Sequence, residues 1–256
     1  MYSDIEKKIV LGNIQRSFPE KTPEEQLEIC KKFYRHFCDL ILESLKTFTI
    51  PEKEVKKRVV CKNPVVINRY FDEGRSVIIA GGHYNNWEIF AVGVDSLIKH
   101  QTIGIYKPLS NKYFDEKMRS TRSKYGLKMI ATKIVKQVLD KEASNRSATI
   151  FAIDQSPSNP NNSYWMKFLN QDTAVLFGTE KYAKEYDLPV LYGRINKEKR
   201  GHYSFEFFPI TDHPKETAYG EITEKITTAL EEDIIRIPQY WLWSHRRWKH
   251  KRPAGK

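Results

Sequence analysis

The feature that most constrains this fold is an alternation of short apolar runs with amphipathic helical patterns, which begins near Ser76. Residues 77–80 predict a buried strand, which is followed by a two-glycine turn and a helical pattern. Further strands are predicted at 102–106, 127–131, 148–153, 165–169, 189–195 and 202–208. Strands separated by helices of this length form parallel sheets whose two faces are both covered. We therefore predict an α/β fold with a mostly parallel twisted sheet and helices on both faces.

A long helix is predicted before this alternation. Thr22 is expected to cap it, with Pro23 at the first helical position and Glu25 completing a capping box. Apolar residues then recur at three- and four-residue spacing to about Phe48. A chain of 256 residues can bury a sizeable core, and no convincing interdomain linker interrupts it. We predict one domain over 1–256, with a helical N-terminal extension at 1–60 and an α/β core at 61–256.

The charge and the cysteines limit the classes of partner and site. A net charge of +11 favours an anionic partner such as lipid headgroups, a phosphorylated substrate, an acidic carrier protein or nucleic acid, although a basic surface can also serve solubility alone. No RNA- or DNA-binding motif appears in the sequence, so we expect no nucleic-acid partner. The three cysteines lack CxxC spacing, which disfavours a disulfide framework or a zinc ribbon. We assign no metal site, expect no cofactor, and infer reduced, cytosolic surroundings.

The strongest chemical signal lies at residues 81–88, directly after the first strand of the alternation. Ligands of parallel sheets bind outside the carboxyl ends of the strands, and the two glycines let the backbone turn sharply there. Glu88 follows His83 by five positions, so its carboxylate can reach one imidazole nitrogen. The other nitrogen is then free to take a proton from a hydroxyl, as in a catalytic triad whose nucleophile comes from the substrate. On spacing alone, a purely structural His/Glu pair is an equally good interpretation.

This stretch, Gly-Gly-His-Tyr-Asn-Asn-Trp-Glu, resembles the signature of the bacterial lipid A late acyltransferases, the lauroyl/myristoyl transferase group. That group belongs to the wider His-x4-Asp/Glu glycerolipid acyltransferase class. Similar segments occur in the expected order at 13–20, 105–109, 119–126, 153–156 and 238–249. The resemblance implies a glycerolipid-acyltransferase-like fold. It also implies transfer of an acyl chain from an acyl-carrier-protein or acyl-CoA thioester to a hydroxyl of a membrane lipid, foremost a lipid A precursor in lipopolysaccharide biosynthesis.

The resemblance also implies roles for individual residues. His83 is expected to be the general base and Glu88 its orienting partner. The family usually has an arginine where this chain has Lys107, and a lysine supplies a point charge without the bidentate fork of arginine. Lys107, Arg119 and Arg122 are therefore candidate contacts of the oxyanion or of a phosphate. Both arginines could instead be solvated on one helix face, and for Arg122 we slightly favour that interpretation.

A second group of candidates ends another predicted strand at the same sheet edge. Asp154 and Gln155 follow the strand at 148–153, and in the family this pair lies by the active site. A turn cap before Pro157 is an equally good interpretation of Asp154. Together with Asn86, these two residues are predicted to bind the substrate.

Two features concern attachment to a membrane: the composition of the C-terminal segment and the way members of the resembled family usually begin. Residues 241–256 mix three tryptophans with eight Lys, Arg or His residues, which is typical of a lipid-headgroup interface. Trp241 and Trp243 are also expected to be at least partly structural. Family members usually begin with a hydrophobic segment that anchors them in the membrane. This chain starts just after the position where that segment would lie. We expect either peripheral attachment or an anchor outside this sequence, at the cytoplasmic face of the inner membrane, with acyl carrier protein, a lipid acceptor and the anionic surface as partners.

Three alternatives stay open from the residues. The acceptor could be a lysophospholipid or an amino-acid lipid, because each offers a hydroxyl beside polar groups. The same base could activate water in an acyl thioesterase or a lipid hydrolase. The chain could also be a non-catalytic binder of anionic lipid, held by its net positive charge.

Overall fold

The alternating pattern forms strands and helices as expected over residues 4–253, which the structure, a computed structural model, describes. The strands are β1 (Val59–Cys61), β2 (Val77–Gly81), β3 (Gln101–Tyr106), β4 (Lys128–Ala131), β5 (Ser147–Ala152), β6 (Tyr164–Phe168), β7 (Gln171–Val175), β8 (Val190–Lys199) and β9 (His202–Thr211). The α-helices are α1 (Asp4–Ser17), α2 (Pro23–Thr47), α3 (Glu52–Arg58), α4 (Pro64–Asp72), α5 (Trp87–Gly93), α6 (Lys112–Arg122), α7 (Val135–Glu142), α8 (Gly178–Tyr186) and α9 (Glu221–Arg236).

Seven of these strands form one sheet in the order β1-β9-β8-β2-β5-β3-β4. Neighbours from β8 to β4 are parallel, whereas β9 is antiparallel to β8 and parallel to β1. The predicted α/β class with a mostly parallel sheet is confirmed. The strand predicted at 165–169 forms as β6, but it lies outside the main sheet because it pairs with β7 in a local antiparallel hairpin.

Successive side chains of a buried strand point in opposite directions, so both faces of the sheet are apolar. Helices cover both of these faces. On one face Ile78 of β2 packs into an apolar cluster with residues of α1, α2, α7, α8 and α9. On the other face Ile79 packs with Ile67 of α4. Next to it, Phe90 of α5 packs with Phe205 of β9. The prediction of helices on both faces is confirmed.

Two helices next to the predicted site show how local sequence sets their ends. The capping box of α2 is present: the Glu25 backbone N–H donates to the Thr22 hydroxyl, and the Glu25 carboxylate accepts from the Thr22 N–H at 2.8 Å. Helix α5 is shorter than the predicted helix at 86–99. It ends at Gly93, because the Asp95 carboxylate accepts from both the backbone N–H and the hydroxyl of Thr102 and so directs the chain into β3.

The N-terminal part of the described chain is helical up to the first strand. Helices α1, α2 and α3 precede β1, which pairs with β9 at the sheet edge. The division into an extension at 1–60 and a core at 61–256 stays a prediction. Among residues 4–253, no helix has both the length and the apolar composition that crossing a bilayer requires.

Candidate active site

The site forms where two neighbouring parallel strands end at the same sheet edge. Gly81 at the end of β2 pairs with Ala152 at the end of β5, and the Ile153 N–H donates to the Gly81 carbonyl at 2.9 Å. The chain positions that follow both strands therefore meet. The backbone N–H of His83 donates to Oδ2 of Asp154 at 2.7 Å, and Nδ1 of its ring lies 2.7 Å from Oδ1 of the same carboxylate. One carboxylate thus holds both the backbone and the ring of His83.

Asp154 and His83 each favour the charged form of the other. Burial alone would raise the pKa of Asp154, but the His83 charge and three hydrogen bonds lower it to about 2. The third of these bonds comes from Nε1 of Trp241 at 2.9 Å. Burial alone would lower the pKa of His83, but the Asp154 charge and hydrogen bond raise it above its ordinary value. Asp154 therefore stays ionised, Nδ1 keeps its proton, and Nε2 is the basic nitrogen.

Asp154 binds Nδ1 of His83 and leaves Nε2 for other contacts. Nε2 lies 3.4 Å from the side-chain amide nitrogen of Gln155. The ring packs edge-to-face on Trp87 with centroids 5.0 Å apart. His83 and Trp87 also line an apolar cavity of about 120 Å³ between the sheet and α5, whose other lining residues include Ile79, Phe90, Ile105, Leu127, Met129 and Ile150.

Missing side chains on the sheet leave room for this cavity. A Cβ added at Gly104 would lie 3.0 Å from Sδ of Met129. A Cβ added at Gly193 would lie 3.0 Å from Cγ2 of Ile79. Both distances are too short for ordinary packing, so larger residues here would fill or distort the space beside His83.

The predicted hydrogen bond between Glu88 and His83 is wrong. Glu88 lies in the first turn of α5 as expected, but its two oxygens accept from Arg122, at 2.9 Å from Nε and 2.7 Å from Nη2. This bidentate pair occupies the Glu88 carboxylate, while Nδ1 of His83 is hydrogen-bonded to Asp154. The interpretation of Arg122 as a solvated side chain is also wrong, because it is mostly buried and lines the cavity beside His83.

The remaining predicted site residues divide into buried and exposed ones. Asn86 is fully buried, accepts from the Ile89 N–H at 2.9 Å and donates to Glu43 of α2 at 2.7 Å. Its predicted contact with substrate is therefore wrong, because the amide oxygen caps α5 and the amide NH2 group holds α5 to α2. Arg119 is exposed and pairs with Glu116 on its own helix. Lys107 is exposed directly after β3.

The C-terminal segment contributes residues to the site that the sequence did not assign to it. It runs beside the His83 loop: the Asn85 N–H donates to the Tyr240 carbonyl at 2.9 Å, and the Leu242 N–H donates to the His83 carbonyl at 3.2 Å. Trp241 and Trp243 are buried, which confirms their expected structural part. The tryptophan-rich signature was the available signal, but nothing in it indicated that Trp241 would donate to Asp154.

Arg247 adds a buried cation to the same region. It is 3% exposed and donates to the Ala174 carbonyl at 2.7 Å. Burial lowers the pKa of Arg247 to about 10, and the Asp154 charge opposes that shift. Its positive charge in turn favours the ionised form of Asp154.

The arrangement supplies a histidine base, a fixed carboxylate behind it and an apolar space in front of it. With Nδ1 held, Nε2 can take a proton from a hydroxyl placed beside Gln155. Arg122 brings a cation to the same cavity. Among the residues that the structure describes, no group of three or more His, Cys, Asp or Glu stands ready to hold a metal ion. The geometry therefore suits attack of a substrate hydroxyl on a carbonyl whose apolar part lies in the cavity.

Comparisons with known proteins agree with this chemistry. The model of a family described as bacterial lipid A biosynthesis acyltransferase matches residues 3–250. Two similar relatives are the lipid A biosynthesis palmitoleoyltransferase of Escherichia coli (strain K12) and a lipid A biosynthesis acyltransferase of Shigella flexneri. Each is 22% identical over 256 residues, a region that covers 96% of this chain and 79% of the relative. Because the family match spans nearly the whole chain, including β2, β5 and the C-terminal segment up to residue 250, this chain belongs to the bacterial lipid A biosynthesis acyltransferase family.

Proposed function

We propose that this chain transfers a fatty acyl chain from a thioester, on acyl carrier protein or coenzyme A, to a hydroxyl of a lipid A precursor. His83 acts as the general base. The observation that carries the proposal is the His83 ring, whose Nδ1 is held 2.7 Å from the Asp154 carboxylate and which itself lines the apolar cavity. Membership of the family supports a lipid A precursor as the acceptor.

The reaction then proceeds in two steps at the thioester carbonyl. Nε2 of His83 takes the acceptor hydroxyl proton while the oxygen forms a C–O bond to the carbonyl carbon, whose π electrons move to its oxygen. Asp154 stabilises the resulting imidazolium. When the tetrahedral intermediate collapses, the C–S bond breaks and the leaving sulfur takes the proton from Nε2. The products are an acylated lipid and a free thiol, and His83 is neutral again.

The negative charge on the carbonyl oxygen needs donors beside the cavity. We assign this contact to Arg122, which lines the cavity, and to the Gln155 amide, which lies 3.4 Å from Nε2. Glu88 orients the Arg122 guanidinium through their bidentate pair. Lys107 and Arg119 are exposed, so we assign them to phosphate groups of a substrate outside the cavity.

The apolar cavity beside His83 is our candidate for the transferred acyl chain. At about 120 Å³ it is smaller than the roughly 300–1,000 Å³ of typical ligand pockets, so its lining side chains must move apart to admit a long chain. The net charge of +11 suits an acidic carrier protein and an anionic membrane surface. We therefore place the reaction at the cytoplasmic face of the inner membrane.

A transfer assay with a labelled acyl thioester and a lipid A precursor tests the proposal. Replacement of His83 by alanine should lower the transfer rate by about 10²- to 10⁴-fold, the usual contribution of a general base. The matched control is His213→Ala, which changes an exposed histidine and should keep the wild-type rate.

Other outcomes would point to the alternatives. Full activity of His83→Ala would refute the assignment of the base. Release of free fatty acid at full rate without any acceptor would identify a thioesterase or lipid hydrolase. Mass spectrometry of the product would reveal a lysophospholipid or amino-acid lipid acceptor. Salt-sensitive lipid binding without any transfer would identify a non-catalytic binder.

A further inference from the structure

A second apolar space lies between the C-terminal half of α2 and the last turns of α6. We call it the α2–α6 groove. Its volume is about 300 Å³. It is lined mainly by apolar side chains, among them Phe37, Ile41, Leu45, Phe48 and Met118.

Several groove side chains are exposed to solvent in spite of their apolar character. Ile41 is 41% exposed and Leu45 is 56% exposed. Phe114, which lies one turn before Met118 on the same face of α6, is 57% exposed. Apolar surface left in water is unfavourable by about 25 cal/mol per Å² relative to burial. The groove is therefore suited to an apolar ligand.

The inner end of the groove adjoins the reaction cavity. Trp87 and Arg122 line both spaces, and Glu88 lines the groove where it pairs with Arg122. At the Phe48 end, the Lys117 ammonium lies 5.5 Å from the centre of the Phe48 ring. The groove is thus apolar along its length and has charged side chains at both ends, with the Glu88–Arg122 pair at the end that adjoins the reaction cavity.

We propose that the α2–α6 groove binds an acyl chain already present on the lipid acceptor. This inference rests on the proposed function. Transfer between a thioester and a lipid brings two apolar tails to one histidine, and the cavity under α5 takes the chain that is transferred. The acceptor hydroxyl must reach Nε2 of His83, so its polar part lies near Arg122. The acceptor chain then runs outward along the groove.

The test uses a matched pair of variants on α2. Leu45 lines the groove, whereas Leu42 is 54% exposed and is not part of its lining. We expect Leu45→Asp to raise the KM for the acceptor about tenfold or more, because a charge then faces the bound chain. Leu42→Asp should leave the KM unchanged. Ile41→Asp is a second groove variant and should behave like Leu45→Asp.

A pair of acceptors sharpens the experiment. They share a headgroup and a reactive hydroxyl and differ in the length of the resident chains. The KM ratio between Leu45→Asp and wild type should fall towards one for the short-chain acceptor. Equal effects of Leu45→Asp and Leu42→Asp would mean general contact with a lipid surface, and an unchanged KM in Leu45→Asp would mean an unused groove. Either result overturns the inference while wild-type transfer still supports the proposed function; absence of wild-type transfer would overturn both.

Discussion

Replacement of Asp154 by asparagine tests which of two carboxylates, Asp154 or Glu88, orients His83. Oδ2 of Asp154 accepts from the His83 N–H at 2.7 Å and from Nε1 of Trp241 at 2.9 Å. An asparagine keeps its carbonyl oxygen towards these two donors and turns its NH2 group towards Nδ1 of His83. Because that group donates, Nδ1 must give up its proton, which moves to Nε2. The nitrogen that should act as a base is then already protonated.

The expected loss follows from this change of tautomer. In a catalytic triad the equivalent carboxylate-to-amide change lowers kcat by about 10⁴-fold, so we expect about 10³- to 10⁴-fold here. This is about 4 to 5.5 kcal/mol of transition-state stabilisation. The pKa of Asp154 lies at about 2 instead of 3.8. Ionisation of Asp154 therefore stabilises the fold by roughly 2 kcal/mol above pH 3.8, and this contribution is lost as the pH falls towards 2.

The assay compares Asp154→Asn with Glu88→Gln at several pH values. Glu88→Gln leaves Nδ1 untouched and still offers Arg122 one acceptor, so we expect about a tenfold loss of kcat. In Glu88→Gln the acidic limb of the pH profile of kcat/KM should stay close to its wild-type position, because Asp154 affects the pKa of His83 more strongly than Glu88 does. The reasoning is refuted if Glu88→Gln lowers kcat as much as Asp154→Asn. Retention of kcat within tenfold in Asp154→Asn would refute it equally.

Three further predictions follow from the site. The pKa of His83 is raised and its neutral form is the base, so kcat/KM should increase with pH through a limb centred above pH 6.5, and a limb below that value would contradict the geometry. A Cβ at Gly82 would lie 2.7 Å from both methyl groups of Leu230, so Gly82→Ala should lose about 1 to 3 kcal/mol in urea unfolding; Gly178→Ala is the control, because its nearest neighbour would lie at 3.8 Å. Met129→Ala should enlarge the cavity beside His83 and shift the preferred donor to longer acyl chains, as measured by competition between thioesters; an unchanged preference would place the chain elsewhere.

Much of the fold could be predicted because its signals are local. The capping box sets the start of α2, and the apolar runs give β2 and β5 within a residue or two. The end of α5 could not be predicted from helical periodicity. It depends on a hydrogen bond from Thr102 to Asp95, and that bond forms only because the chain turns back into β3. The short edge strand β1 depends in the same way on a distant partner, β9.

The orienting carboxylate was predicted incorrectly for a related reason. Glu88 is near His83 along the chain, so spacing favoured it, whereas Asp154 lies 71 positions away. Their contact depends on the strand order, in which β5 lies next to β2 although β3 and β4 come between them in sequence. The sequence did place both residues at the same sheet edge. The pattern of strands and helices did not indicate that their two strands were neighbours, and only the family resemblance placed Asp154 by the active site.

The Glu88–Arg122 pair explains why a carboxylate at this position can matter without touching the base. Two mostly buried opposite charges add little net stability, because removing each from water costs about as much as their attraction provides. Such a pair is therefore better explained by what it holds in place than by the stability of the fold. Here it fixes a guanidinium between the cavity beside His83 and the α2–α6 groove. In the proposed reaction a fixed cation is suited to the point where the thioester and the lipid acceptor meet, since it keeps its orientation as negative charge develops on the carbonyl oxygen.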